Sequence, residues 1–200
     1  MGIKLEVKDK QHVPEGGCII ASKHQSWGDG FSLFSQFGDL AFVTGEHITK
    51  IPGVGHILKK MDAIVVAQCG GAASRDALMN TEMERARQES RRIFIYPEGR
   101  MVEPGYYAPY KKGIFHMYEA YQCPVVPVST NLGLCWPLDD WKRMKPGTVT
   151  LQFHEPIPPG LDKETFMHRL EHVIEEGALA LLPEGFELPQ DREIKTKWVA

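Results

Sequence analysis

Seven short apolar runs, rich in β-branched residues, recur at residues 3–7, 18–21, 40–43, 63–67, 93–96, 125–128 and 149–153, each bounded by glycine, proline or charged residues. Such runs read as strands. Helical patterns lie between them. The clearest covers 163–182, where Phe166, Met167, Leu170, Val173, Ile174, Ala178 and Leu181 share one helical stripe, with Asp162 as N-cap and Pro183 as terminator. A second helix is predicted over 74–89, and others after Trp27 and Gly113. Strands alternating with helices predict an α/β domain whose central sheet is covered on both faces. No repeat or linker divides residues 1–200, so a single domain is expected.

Charge narrows the function. Lys plus Arg number 23 against 26 Asp plus Glu, and the net charge of −3 gives no global attraction to nucleic acid or anionic lipid. Any phosphate-binding surface must be local. Cys18, Cys69, Cys123 and Cys135 show no Cys-x-x-Cys spacing, which fits a reducing, cytoplasmic compartment. The first ten residues lack the apolar run of a signal peptide, and no stretch approaches the roughly 18 apolar residues that span a bilayer. Contact with lipid is therefore expected from the surface.

Two segments carry chemistry. In α/β sheets ligands collect beyond the carboxyl ends of strands. His24 follows the run at 18–21, and Glu98 follows the run at 93–96. A histidine takes a proton near neutral pH, and a carboxylate on its other ring nitrogen fixes the tautomer, so His24 and Asp29 form a candidate base pair. Five residues of regular helix turn about 500°, leaving the side chains roughly 140° apart. Contact therefore requires a non-helical backbone, which Gly28 and Gly30 would ease. A capping Asp beside a loop histidine is the other reading. In the second segment, Tyr96-Pro97-Glu98-Gly99-Arg100, Glu98 could hold a substrate hydroxyl or orient neighbours, and Arg100 could hold a phosphate. A strand-to-turn transition with a solvated Arg would have the same sequence.

Together these segments resemble the lysophosphatidic acid acyltransferases, the 1-acylglycerol-3-phosphate O-acyltransferases among the glycerolipid acyltransferases. The family's Asn-His-Gln-Ser-x-x-Asp motif is similar to Lys23-His24-Gln25-Ser26-Trp27-Gly28-Asp29, with Lys23 replacing Asn. Its Phe-Pro-Glu-Gly-Thr-Arg motif resembles Tyr96-Pro97-Glu98-Gly99-Arg100-Met101, and its Val-Pro-rich segment resembles Cys123-Pro124-Val125-Val126-Pro127-Val128. A Lys-x-Gly element matches Lys111-Lys112-Gly113. The likeness runs in the family's order from about residue 13 to 158.

The resemblance implies a central mixed sheet of about seven strands flanked by helices. It implies transfer of an acyl chain from acyl-CoA or acyl carrier protein to a lysophospholipid hydroxyl, without a cofactor or metal, at the cytoplasmic face of a membrane. His24 would remove the hydroxyl proton and Asp29 would hold the imidazole. Glu98, Gly99, Arg100, Lys59, Lys60, Lys111 and Lys112 are the candidate substrate-binding residues, with an oxyanion donor expected near Gly99. No Gly-x-Ser-x-Gly elbow is present, so no acyl-serine is expected. The chain departs from the family at Gln68 and Met101, where arginines are usual; Arg100, Lys59, Lys60, Arg75, Lys111 or Lys112 would have to compensate. Those departures leave open an acceptor without phosphate, such as a lyso-ornithine lipid. An inactive lipid-binding relative and a thioester hydrolase are further alternatives.

Other features are weaker. His168 and His172 have metal-ligand spacing but read as a solvated pair beside Glu171 and Glu175. Trp136, Trp141 and Trp198 suit either a lipid interface or partial burial, and residues 106–112 either a substrate groove or a solvated loop.

Overall fold

The structure, a computed structural model, describes residues 2–66, 71–138 and 141–194. Cys69, Gln68 and Trp198 lie outside the described residues, as do the side chains of Arg75 and Trp141. The chain runs β1 (Ile3–Lys8), β2 (Cys18–Ser22), α1 (Gly28–Phe34), β3 (Ala41–Gly45), α2 (Val54–Lys60), β4 (Ile64–Val66), α3 (Ala72–Glu89), β5 (Arg92–Ile95), α4 (Gly113–Tyr121), β6 (Val125–Thr130), β7 (Gly147–Phe153) and α5 (Lys163–Ala180). All seven apolar runs form strands.

The strands make one sheet in the order β1-β7-β6-β2-β5-β3-β4. Pairing is parallel throughout except between β6 and β7, so the sheet is mixed, as expected. Strand alternation divides the core into two layers. Ile19, Ala21, Ile93 and Val125 face Met83 of α3, Ile114 and Met117 of α4, and Phe166, Leu170 and Ile174 of α5. Cys18, Ile20, Phe94, Val126 and Val128 face the other way, against Leu33 of α1 and Leu40. Central strands buried on both sides carry apolar residues on both faces, which is why 18–21, 93–95 and 125–128 read as unbroken apolar runs, with polar residues such as Ser22, Ser129 and Thr130 at the strand ends. Edge strand β1 is half exposed, and its Lys4, Glu6 and Lys8 alternate with Ile3, Leu5 and Val7.

The end of α5 nearest its start is defined as anticipated, because Asp162 Oδ1 accepts the Thr165 N–H at 3.0 Å. Around Gly53-Val54-Gly55 the chain is helical, although two glycines within three residues would suit a loop. Gly53 has φ +82 and serves as the N-cap of α2, a seven-residue helix that includes Gly55.

Candidate active site

The His24 and Glu98 segments meet where β2 and β5 end side by side, Ala21 paired with Ile95. Lys23 extends β2 by donating its N–H to the Val128 carbonyl at 2.9 Å, and the next residue, His24, is the first to leave the sheet. The His24 carbonyl accepts the Val102 N–H at 2.7 Å, so its backbone is held from both sides.

Asp29 is wholly buried in the first turn of α1, and its Oδ2 lies 3.0 Å from His24 Nδ1. The same oxygen accepts the N–H groups of Gln25 at 2.6 Å and Ser26 at 2.7 Å. These bonds fold residues 24–27 into a tight approach to α1, so the pair meets across a non-helical turn. Flexible glycines are not what make that turn possible, since neither Gly28 nor Gly30 has positive φ. Gly28 is needed for space, because a Cβ there would lie 2.6 Å from the Trp136 ring and 2.9 Å from Leu132 Cδ2. Gly30 has ordinary room. Ser26, fully buried, accepts the Gly28 N–H at 3.1 Å and serves the turn.

With Asp29 ionised, the short contact assigns the proton to His24 Nδ1 and leaves Nε2 with its lone pair free to accept. The imidazole is 18% exposed and lies flat on the Tyr96 ring, with centroids 3.6 Å apart. Tyr96 rests edge-on against Phe94, and Phe94 against Phe42, continuing the aromatic contact into the core.

Glu98 sits behind this surface. It is 0% exposed and 3.1 Å from Lys23 Nζ, itself only 1% exposed. Burial raises the Glu98 carboxyl to about 7, against the opposing pull of the Lys23 charge. Burial alone would lower the Lys23 ammonium, but Glu98 and Glu175 outweigh it and hold the ammonium above its ordinary value. Glu175 of α5 bonds Lys23 Nζ through both oxygens at 2.8 Å and accepts the Tyr110 hydroxyl at 2.9 Å. The Glu98 carboxyl is thus sealed from solvent behind the His24 surface.

Gly99 is exposed with φ +64, a conformation that favours glycine, and the Lys111 stem lies where a Cβ would project, 3.3 Å away. Its N–H already donates to the Tyr96 carbonyl at 3.0 Å, so the expected oxyanion donor is not this group. The Lys111 N–H donates to the Pro97 carbonyl at 2.8 Å, bringing exposed Lys111 and Lys112 beside the turn that carries half-buried Arg100. Lys59 and Lys60 are elsewhere. They end α2 at the opposite edge of the sheet, where Lys60 lines a cleft with Asp39, Asp62 and Arg91, residues that precede β3, β4 and β5. Among the residues passed over in the sequence, Tyr96 occupies a slot that is Phe in the family motif, whereas Glu175 and Tyr110 carried no motif signal. His168 and His172 are exposed on α5, their rings 6.1 Å apart.

Fold and site together define an α/β protein with an ordered histidine–aspartate pair at the carboxyl edge of its sheet. The chain belongs to the acyltransferase family, whose sequence model matches residues 4–131. It is 27% identical over 148 residues to a 1-acyl-sn-glycerol-3-phosphate acyltransferase of Pseudomonas aeruginosa, covering 74% of this chain and 57% of that one. It is also 27% identical over 158 residues to the human 1-acyl-sn-glycerol-3-phosphate acyltransferase beta, covering 78% of this chain and 57% of the relative. The chain thus spans little more than half the length of these relatives. The crystal structure of the 1-acyl-sn-glycerophosphate acyltransferase PlsC from Thermotoga maritima has the same fold, with a TM-score of 0.73 at 23% identity over 89% of this chain and 72% of that one. Among the described residues, no helix is long and apolar enough to cross a membrane.

Proposed function

We propose that this chain works as one catalytic unit that moves a fatty acyl group from acyl-CoA or acyl carrier protein to the hydroxyl of a lysophospholipid, with 1-acylglycerol-3-phosphate as acceptor and phosphatidic acid as product. The observation that carries this reading is the His24 Nδ1 to Asp29 Oδ2 contact at 3.0 Å, which leaves Nε2 as the basic nitrogen. His24 Nε2 takes the hydroxyl proton as the acceptor oxygen attacks the thioester carbonyl. The C–S bond then breaks, and the departing thiolate takes the proton from the imidazolium. Asp29 stabilises that cation. Holding both substrates beside His24 supplies much of the remaining acceleration.

Arg100, Lys111 and Lys112 suit the acceptor's phosphate, being grouped around the Pro97–Lys111 contact. Met101 and Gln68 replace arginines of the family motifs and favour a second reading, an acceptor whose headgroup lacks phosphate. The chain would work while lying on the cytoplasmic face of a membrane. Trp27 and Phe31, 52% and 74% exposed, project at the start of α1 and offer an apolar surface near the His24 turn.

The deciding experiment is an acyl-transfer assay over lysophosphatidic acid and lysolipids with uncharged headgroups, using the native chain and His24→Ala. Loss of transfer by about 10²–10⁴-fold in the variant is expected. Undiminished transfer would overturn the role of His24, and preference for the uncharged lysolipid would select the second reading.

A further inference from the structure

The Lys23 ammonium hydrogen-bonds both Glu175 oxygens at 2.8 Å and the Tyr106 carbonyl at 3.2 Å, and it makes an ion pair with Glu98 at 3.1 Å. Burying these charges is costly, and a buried ion pair commonly adds little net stability over an apolar replacement. What the arrangement does supply is position. Lys23 is bonded covalently to His24, and Glu98 is two residues from Tyr96, the ring that backs His24. The Lys23–Glu98 pair therefore ties together the two strand ends whose rings stack.

Two parts of the chain beyond the 4–131 family match converge on that tie. One is Glu175, in the middle of α5 and only 12% exposed. The other is the stretch at 192–194. Arg192 Nε donates to the Gly105 carbonyl at 2.8 Å, the Tyr107 N–H donates to the Arg192 carbonyl at 3.0 Å, and the Ile194 N–H donates to the Tyr107 carbonyl at 2.9 Å. These bonds fix the loop whose Tyr106 carbonyl receives Lys23.

We propose that Lys23 and Glu175 are positioning residues, a buried pair through which α5 holds the His24–Tyr96 stack in its working geometry. The inference deepens the acyl-transfer reading and rests on it for its kinetic consequence, but the geometry itself can be measured without turnover. The groups facing Glu98 and Lys23 are Glu175 and Glu171 of α5, Tyr110 from the loop before α4, and Tyr96 at the end of β5.

The test uses Lys23→Met, Glu175→Gln and the double variant of the whole chain. Stacking on Tyr96 shields the His24 ring protons, so their NMR resonances, assigned by their loss in His24→Ala, lie upfield in the native protein. In Lys23→Met and Glu175→Gln they are expected to move toward the positions of an exposed histidine. In parallel, kcat for acyl transfer is expected to fall by about tenfold with KM within about twofold, and the double variant is expected to lose little more than Lys23→Met alone. Native resonance positions in both variants, or losses confined to KM, would overturn the proposal. If Lys23→Met does not fold, Glu175→Gln decides by the same two readouts. Should the native chain transfer no acyl group, the acyl-transfer reading fails, while the resonances still report whether the pair positions the ring.

Discussion

Tyr96 lies against His24 with their rings 9° from parallel and 3.6 Å apart, while its hydroxyl is sealed from solvent and meets no hydrogen-bond partner among the described residues. The flat face and the hydroxyl therefore have separable effects. Tyr96→Phe keeps the face and removes an unmet buried donor, so it is expected to gain about 1 kcal/mol in urea unfolding with activity within about twofold of native. Tyr96→Leu keeps apolar bulk but no flat face and is expected to lower kcat by about tenfold. Equal activity in the two variants would show that the stack has no part in turnover.

Asp29→Asn preserves shape and removes charge. With its oxygen in the Oδ2 position the new amide still accepts from Gln25, Ser26 and His24 Nδ1, but the imidazolium formed in turnover loses its counter-charge, and the NH₂ fills the buried Oδ1 position, which has no hydrogen-bond partner among the described residues. A loss of about 10²–10⁴-fold in kcat is expected, alongside about 1–3 kcal/mol of stability. Full activity in a folded Asp29→Asn protein would reduce Asp29 to a cap of the turn.

Glu98 makes stability depend on pH in a defined direction. Folding raises its carboxyl from 4.5 to about 7, so between those values the native state holds a proton that the unfolded chain has released. That contribution is fully present below pH 4.5 and is lost as pH rises through 7. Glu98→Gln, which cannot titrate, is expected to flatten the fall in Tm across that interval. The same slope in native protein and variant would refute the assignment.

Phe31 faces solvent, so Phe31→Ser should leave folding stability within about 0.5 kcal/mol of native. Burying a phenyl ring in lipid is worth roughly 1.5–3 kcal/mol, so binding to phosphatidylglycerol-containing vesicles is expected to weaken by about tenfold or more, measured by co-sedimentation. Unchanged sedimentation would place the membrane contact on another surface.

The strands were legible because β2, β5 and β6 are covered on both faces and carry unbroken apolar runs through their middles. Helix α5 was legible because only one stripe of it packs, which exposes its period. Helix α2 was not, because seven residues opening on Gly53 and including Gly55 show too little pattern. At the site, His24, Asp29 and Glu98 could be read from local motifs. Lys23 was visible only as a departure from one, since its meaning depends on Glu175, 152 residues away. Periodicity placed Glu175 off the apolar stripe of α5, where a charged residue ordinarily meets water. Distant pairing of two charges leaves no periodic trace in either segment.

Among the described residues, strand β1 pairs with β7 alone, Ile3 opposite Gly147 and Lys8 opposite Gln152. During synthesis, residues 3–8 leave the ribosome long before the residues they will pair with, and their apolar side must wait unpaired until residues 147–153 emerge. Closing so long a loop is slow compared with forming local helices. The order of assembly then runs from the centre outward, with β1 among the last strands to be seated, and the alternating Lys4, Glu6 and Lys8 keep that waiting segment from pairing with a neighbouring chain.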